Sequence, residues 1–186
     1  MHEAHGACPF DDVKYLRELL AEIRNVYAVD PRRIFVVGHS NGGFMALRLG
    51  CELSGELAAV VSLAGAAVER CHPASSVSVL QIHGDRDFGV RFDGGTNILG
   101  KGGGAYVGAV ETVARWARDD GCGSTRSSGA TIDLETTLPG SETTVSTYDG
   151  CPKGIDVALW TIQGGGHVPK IDAALIWAWL SAHPAL

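Results

Sequence analysis

The hydrophobic pattern of the chain predicts four short strands. Each is a mostly apolar run without regular alternation of polar residues, which is typical of a strand buried on both faces of a parallel sheet. The predicted strands are residues 34–37, 58–63, 77–83 and 157–162. We expect them to lie at the centre of the fold.

Amphipathic stretches separate these runs. Their apolar residues recur at helical spacing and predict helices over residues 13–27, 44–53, 105–120 and 171–182. Two further stretches, 131–138 and 143–148, flank a Pro-Gly-Ser turn at 139–141 and predict an antiparallel hairpin. Strands that alternate with helices imply right-handed crossovers, so we expect an α/β fold with a mainly parallel sheet.

Length and composition fit one domain that spans residues 1–186. The chain is 45% hydrophobic and 19% charged, which excludes a disordered or coiled-coil protein. Its 15 basic residues are outnumbered by 21 acidic residues and form no cluster, so we expect no nucleic-acid partner. The longest apolar runs, 57–63 and 173–180, are much shorter than the roughly 20 residues of a membrane helix, so we expect no membrane association.

The cysteine content indicates an oxidising compartment. Five cysteines are many for a cytosolic chain of this size, and none has the spacing of a zinc site, so we expect disulfides, secretion and no structural metal. The residues before Cys8 lack the basic and apolar regions of a signal peptide. We therefore expect that a leader has been removed or that the chain begins inside a longer gene.

One serine lies where a tight turn would present it. Gly38-His39-Ser40-Asn41-Gly42 has the pattern G-x-S-x-G and joins a predicted strand directly to a predicted helix. This is the context of a nucleophile elbow, in which a strained turn exposes the serine hydroxyl and the amino terminus of the helix favours developing negative charge. Ser40 is therefore our candidate nucleophile, with an ordinary helix-capping serine as the alternative.

A serine nucleophile needs a histidine base and a carboxylate that orients the base. The third predicted strand ends just before Asp85 and Asp87, and the fourth ends shortly before His167. The carboxyl ends of parallel strands meet at one edge of the sheet, so we expect these side chains near Ser40. We prefer Asp87 as the acid, because Asp85 lies nearer the strand end and is placed to cap the turn, and Asp93 is a third choice.

Several segments, in this order, are similar to one group of secreted esterases. They are DDVKYLRELL, DPRRIFVVGHSNGGFMALRL, LQIHGDRD, ETVARWARDDGC, YDGC and IQGGGH, and they extend from Asp11 to His167. They resemble the polyhydroxybutyrate depolymerases and feruloyl esterases. The resemblance implies an α/β-hydrolase-like three-layer sandwich and a serine esterase that forms an acyl-enzyme without a cofactor. It also implies Ser40 as nucleophile, Asp87 as triad acid and His167 as general base.

The resemblance further implies that the backbone amide of Asn41 is one oxyanion-hole donor. Members of the family carry more strands before the opening helix, including the strand whose loop supplies the second donor, so we expect a domain shortened at its amino terminus. Residues 34–37 would then form an unpaired apolar sheet edge. We expect this edge to be covered by self-association, as in a homodimer, or by an upstream segment.

The topology also predicts the disulfides. Cys8 precedes a helix that leaves the catalytic end of the sheet, and Cys71 follows a strand that reaches it. By the same reasoning, Cys122 and Cys151 lie at the opposite end. We therefore expect the pairs Cys8–Cys71 and Cys122–Cys151, with Cys51 as a buried thiol.

The sequence does not determine which ester is the substrate, and it allows one function other than catalysis. Phe88 and Phe92 follow the candidate acid, so either could line a substrate cleft. The resemblance implies polymeric or aromatic esters, such as polyesters, polyhydroxyalkanoates or feruloyl esters. The alternative is a catalytically silent, hydrolase-like binding module that has lost its oxyanion strand. Residues 100–105 match a dinucleotide-binding pattern but follow no strand, so we expect no cofactor.

Overall fold

The computed structural model describes residues 11–68, 72–96 and 104–185. Its contacts divide the chain into two compact units, Met1–Asp30 and Pro31–Leu186. The first unit contains helix α1 (Asp12–Val26), as the periodicity predicts. Asp11 caps this helix, because its carboxylate accepts a hydrogen bond from the Lys14 amide at 3.1 Å. None of the described helices is long and apolar enough to cross a membrane.

The second unit is built on a six-stranded sheet. In chain order its elements are β1 (Phe35–His39), α2 (Asn41–Glu52), β2 (Ala59–Leu63), β3 (Ser78–Gly84), β4 (Gly94–Gly95), β5 (Tyr106–Val107), α3 (Ala109–Asp119), β6 (Arg126–Ile132), β7 (Thr143–Tyr148), β8 (Val157–Ile162) and α4 (Ala173–Ala182). The sheet order is β1-β2-β3-β8-β7-β6, and β4 pairs with β5 in a separate ladder. The first four strands in this order run parallel, whereas β7 is antiparallel to β8 and β6. The prediction of a mainly parallel sheet is confirmed.

Helices cover both faces of this sheet. On one face, Val61 of β2 shares a hydrophobic core with Ile176 of α4. On the other face, Gly50 of α2 lies against Val60 and against the Trp116 ring of α3. Successive residues of a strand point to opposite faces, so α4 forms one outer layer, and α2 and α3 form the other. The three-layer α/β-hydrolase-like sandwich expected from the sequence is confirmed.

Strand β1 is less buried than its apolar sequence predicts. β2 and β3 are buried along their whole length, but Val37 of β1 is 54% exposed. Val37 is exposed because β1 is an edge strand of the sheet and, among the described strands, pairs with β2 alone. The expectation that residues 34–37 are buried on both faces is therefore wrong, whereas their place at a sheet edge is confirmed.

The first strand of the predicted hairpin lies earlier in the chain than expected. β6 pairs antiparallel with β7, whereas residues 133–138 form a connection, so the predicted strand over 131–138 is wrong. β6 is exposed along most of its length and therefore has no apolar alternation that could reveal it. The apolar Leu134 favours a strand in the sequence pattern. In the structure it is fully buried in the core beside α4, but it belongs to the connection.

Two of the cysteines form a disulfide that the topology predicts. Cys122 and Cys151 are bonded, with their Cα atoms 3.8 Å apart. Cys51, near the end of α2, is also disulfide-bonded, so the expectation of a buried thiol is wrong. The residue is only half-buried. Cys8 and Cys71, the other predicted pair, lie outside the described residues.

A carboxyl group is buried at the end of α3. Asp120 is 2% exposed, and its Oδ1 accepts a hydrogen bond from the Val77 amide at 3.1 Å. Its Oδ2 is buried without a hydrogen-bond partner among the described residues. Burial raises the pKa of Asp120 from 3.8 to about 7, and the nearby charge of Asp119 adds to the rise, against the effect of the Val77 hydrogen bond. The native state therefore keeps this proton at pH values where the unfolded chain has lost it.

Replacing Asp120 with asparagine is expected to remove a pH dependence of stability. Between pH values of about 4 and about 7, the unfolded chain releases this proton and the native state keeps it, so the free energy of unfolding falls as pH rises and stays low above that range. The Asp120→Asn variant should exceed the wild type by about 2 to 4 kcal/mol above pH 7, with little difference near pH 4. Urea unfolding of both proteins across this range measures the effect. Equal pH dependence in the two proteins would contradict the assignment.

Candidate active site

Ser40 lies on a strained bend between β1 and α2. Its φ is 54° and its ψ is −119°, a conformation that costs a residue with a side chain about 1 to 3 kcal/mol. The Ser40 amide donates to the Leu63 carbonyl at 2.8 Å, and the Ser40 carbonyl accepts from the Gly43 amide at 2.9 Å, so both sides of the bend are held. The serine hydroxyl caps none of the described amides of α2, which leaves it available to another partner. Asn41 begins the helix, where amides have no partner within the helix.

Of the two glycines in the G-x-S-x-G pattern, Gly38 is the one that close packing requires. A Cβ atom at Gly38 would collide with the carbonyl group of Gly42. A Cβ atom at Gly42 itself would meet no atom within 4 Å. Gly43, which the pattern does not include, is also tight, because a Cβ atom there would lie 2.9 Å from the Leu63 carbonyl oxygen. The backbone approach at this bend therefore depends on Gly38 and Gly43.

The loops after three parallel strands align a serine, a histidine and an aspartate. Ser40 follows β1, Asp87 follows β3 and His167 follows β8, so all three lie at the carboxyl edge of the sheet. Ser40 Oγ is 2.9 Å from His167 Nε2, and His167 Nδ1 is 2.9 Å from Asp87 Oδ2 and 3.0 Å from Oδ1. An ionised carboxylate only accepts, so Nδ1 carries the proton and Nε2 accepts from the serine hydroxyl. This geometry allows Ser40 to pass its proton to His167.

Asp87 is buried and yet ionised. Its Oδ1 accepts hydrogen bonds from the amides of Gly89 at 2.7 Å and Val90 at 2.9 Å. Burial raises the pKa of Asp87, but hydrogen bonds from His83, His167 and Val90, together with the charge of His167, outweigh it and lower the pKa from 3.8 to about 2. The carboxylate is therefore charged at every pH at which a neutral histidine can act as a base.

His167 pairs with Asp87 rather than with either of the other two candidate acids. Asp85 Oδ1 accepts a hydrogen bond from the Gly164 amide at 2.6 Å, which ties the loop after β3 to the loop after β8. Asp85 and Asp93 are both exposed, whereas Asp87 is 5% exposed. The carboxylate of Asp85 thus supports the loop that carries the histidine.

Two contacts of His167 are not predicted by the sequence. His39 Nε2 donates a hydrogen bond to the His167 carbonyl oxygen at 2.7 Å, and the two rings lie 5.2 Å apart. Gly89 packs against the histidine ring, because a Cβ atom at residue 89 would lie 2.8 Å from His167 Cγ. Both contacts depend on how the loop after β8 returns over the sheet, and no local pattern at residue 39 or 89 indicates that path.

Exposed apolar side chains adjoin the acid and the base. Phe88 is 93% exposed directly after Asp87, and Val168 is 75% exposed directly after the histidine. Phe92, the other predicted cleft residue, packs edge-on against His83 instead, with the ring centroids 5.8 Å apart. The apolar surface that solvent reaches beside the acid and base therefore includes Phe88 and Val168.

Within residues 11–68, 72–96 and 104–185, no group of three or more His, Cys, Asp or Glu side chains is arranged to hold a metal ion. Residues 100–103, which carry most of the dinucleotide-like pattern, lie outside these ranges. The aligned side chains of Ser40, His167 and Asp87 bring a hydroxyl, an imidazole and a carboxylate within hydrogen-bonding distance of one another.

The chain is similar in sequence to known esterases. A family model described as phospholipase/carboxylesterase matches residues 12–98. Feruloyl esterase B of Piromyces equi is 33% identical over 174 residues, and feruloyl esterase D of Neurospora crassa is 26% identical over 162 residues. The chain has an α/β-hydrolase-like fold, and its sequence resembles the feruloyl esterases. The two alignments cover 90% and 86% of this chain but 30% and 48% of these relatives, so the chain spans less than half of their lengths.

A solved structure shares the fold of this chain. The acetyl xylan esterase from Aspergillus awamori matches it with a TM-score of 0.61 at 14% sequence identity. The match covers 92% of this chain and 67% of the esterase chain. At this identity, the likeness shows the fold alone.

The bend at Ser40 offers a matched pair of glycine variants. Gly38→Ala is expected to lower the free energy of unfolding by more than about 2 kcal/mol, because the new methyl group collides with the Gly42 carbonyl. Gly42→Ala places the same group in open space within α2 and should leave the free energy unchanged or raise it by up to about 1 kcal/mol. Chemical denaturation measures both values. Equal stability of the two variants would refute the packing described at Gly38.

Proposed function

We propose that this protein is a serine esterase that cleaves carboxylic esters through an acyl-enzyme, with residues 1–186 acting as one catalytic domain. The observation that carries the proposal is the line of hydrogen bonds from Ser40 through His167 to Asp87, above a strained bend. A serine that only caps a helix needs neither feature. A catalytically silent binding module has no need of a buried, ionised aspartate behind the histidine. The similarity to feruloyl esterases supports the same activity.

The reaction proceeds in two halves. His167 Nε2 takes the proton of Ser40 Oγ as that oxygen attacks the ester carbonyl carbon, and the Asn41 amide donates to the oxygen on which charge develops. His167 then gives the proton to the leaving alcohol as the ester C–O bond breaks. In the second half, water loses a proton to His167 as it attacks the acyl-enzyme, and His167 then returns that proton to Ser40 Oγ as the acyl C–Oγ bond breaks and a carboxylic acid is released. Asp87 stabilises the imidazolium in both halves.

The proposed substrates are aromatic or polymeric esters, of the feruloyl, polyester or polyhydroxyalkanoate type. Phe88 and Val168 present exposed apolar side chains beside the acid and the base, where an aromatic acyl group or an aliphatic polymer can pack. The relatives of Piromyces equi and Neurospora crassa are named feruloyl esterases, which supports an aromatic acyl group.

We propose further that the protein works outside the cell as a homodimer. The disulfide between Cys122 and Cys151 supports an oxidising compartment, where such bonds persist. The edge position of β1 and the exposed Val37 support self-association, because an uncovered edge strand presents backbone groups to a second strand.

Turnover on a panel of esters tests the activity. The wild type should hydrolyse methyl ferulate and 4-nitrophenyl acetate, with polyhydroxybutyrate and acetylated xylan as polymeric members of the panel. Ser40→Ala should lower kcat by more than about a thousand-fold, because the nucleophile is lost. Ser128→Ala, at an exposed serine of β6, is the control that should keep wild-type turnover. A folded wild type that cleaves no ester, or a Ser40→Ala variant as active as the wild type, would refute the proposal.

Sedimentation tests the dimer. Val37→Lys places a charge on the β1 edge and is expected to convert a dimeric wild type into a monomer, because two like charges would meet across the paired strands. Val110→Lys, at an exposed position of α3, controls for added charge and should remain dimeric. A wild type that sediments as a monomer would exclude self-association at this edge.

A further inference from the structure

Two polar side chains of β3 that the proposed reaction does not use are buried beneath the aspartate. Gln81 and His83 have no exposed surface. They are two residues apart in one strand and therefore point to the same face of the sheet. Burying an amide and an imidazole is unfavourable unless both are hydrogen-bonded, so their partners indicate what they do.

The amide of Gln81 fixes which nitrogen of His83 carries a proton. Gln81 Nε2 lies 2.9 Å from the Gly65 carbonyl oxygen, which can only accept, so the amide nitrogen must face it. The same nitrogen lies 3.1 Å from His83 Nδ1. The imidazole nitrogen facing this donor is therefore the acceptor, and the proton of His83 is on Nε2.

His83 Nε2 donates that proton toward the turn that carries the aspartate. The carbonyl oxygen of Val90 at 2.8 Å is the nearer acceptor, and Asp87 Oδ2 at 3.4 Å is the second. The Val90 amide in turn donates to Asp87 Oδ1 at 2.9 Å. His83 thus holds the turn through the backbone of Val90 and supports the carboxylate at the oxygen that faces His167 Nδ1.

The same network reaches the bend beneath the serine. Gly65, whose carbonyl accepts from Gln81, packs against Gly43 at the start of α2, because a Cβ atom at residue 65 would lie 2.5 Å from the Gly43 carbonyl carbon. The Phe92 and His83 rings pack perpendicular to each other, with their centroids 5.8 Å apart. Gln81 and His83 have no exposed surface, so their hydrogen bonds act away from water, where they are electrostatically stronger.

We propose that His83 is a positioning residue for the acid of the site: its Nε2 proton holds the 87–90 turn so that the Asp87 carboxylate faces His167 Nδ1. This inference rests on the proposed function, because the orientation of the carboxylate matters when an imidazolium forms. Since that charge exists only during the reaction, loss of the His83 donor lowers kcat and leaves KM unchanged. A role in packing alone would require only the volume of the ring.

Two amide variants at residue 83 separate hydrogen bonding from space filling. His83→Gln places an amide N–H close to the position of Nε2 and should keep kcat within about three-fold of the wild type. His83→Asn is shorter, so its amide lies close to the position of Nδ1 and cannot reach Val90 or Asp87. It should lower kcat about ten-fold or more with KM unchanged. Both variants are neutral and polar, so each is the control for the other.

The proton shared by His167 Nδ1 and Asp87 gives a readout that does not depend on turnover. Such a proton resonates far downfield in the ¹H NMR spectrum, and Asp87→Asn identifies the resonance by removing it. The resonance should keep its position in His83→Gln and shift or broaden in His83→Asn. If the wild type cleaves no ester, the proposed function fails, while this resonance still tests the role of His83.

Two results would overturn the proposal. One is wild-type kcat and an unchanged resonance in both amide variants, and the other is an equal loss in both, which points to packing alone. If neither variant folds, Gln81→Met provides the test, because it removes the donor that fixes the proton on His83 Nε2. That variant should shift the resonance and lower kcat about three-fold or more, and wild-type behaviour there would also overturn the proposal.

Discussion

The left-handed backbone of Ser40 is the constraint on which the rest of the site depends. It turns the chain directly from β1 into α2 and leaves the serine hydroxyl clear of the helix. The conformation persists because the Ser40 amide is bonded to the Leu63 carbonyl of the fully buried β2 and because Gly38 and Gly43 let the backbone segments approach. The core of the sheet thus offsets strain of about 1 to 3 kcal/mol at a single residue.

The parallel sheet supplies the partners of this serine. β3 and β8 are neighbours, so the acid and the base leave the sheet side by side, while β2 separates them from the strand that carries Ser40. The loop after β8 must therefore return across the edge of the sheet to bring His167 within reach. Asp85 holds that loop at Gly164, and His39 holds the carbonyl of His167 itself. Residues beside the three aligned side chains thereby position the imidazole of His167.

The elements that the sequence predicts well are those with a local signal. β2, β3 and β8 are mostly apolar runs, and each of the three aligned residues follows one of these strands or β1. β6 has no such signal, because it is polar and exposed, and no local pattern at Cys51 indicates that its sulfur is bonded. The packing of Gly89 on His167 and the network through His83 arise only when separate loops meet. Periodicity cannot indicate contacts of that kind, which is why the placement of Asp87 and His167 near Ser40 can be predicted from the sequence, whereas the contacts that support them cannot.

The rate at which a fluorophosphonate modifies the protein tests the central claim most directly, because the phosphorus is attacked only by an activated hydroxyl. Wild-type protein should be modified at Ser40, as located by the mass of the peptide that contains it. Asp87→Asn should slow this modification by about a thousand-fold or more, because the histidine loses its orienting carboxylate. An unmodified Ser40 in folded protein, or equal rates in the two proteins, would contradict the account.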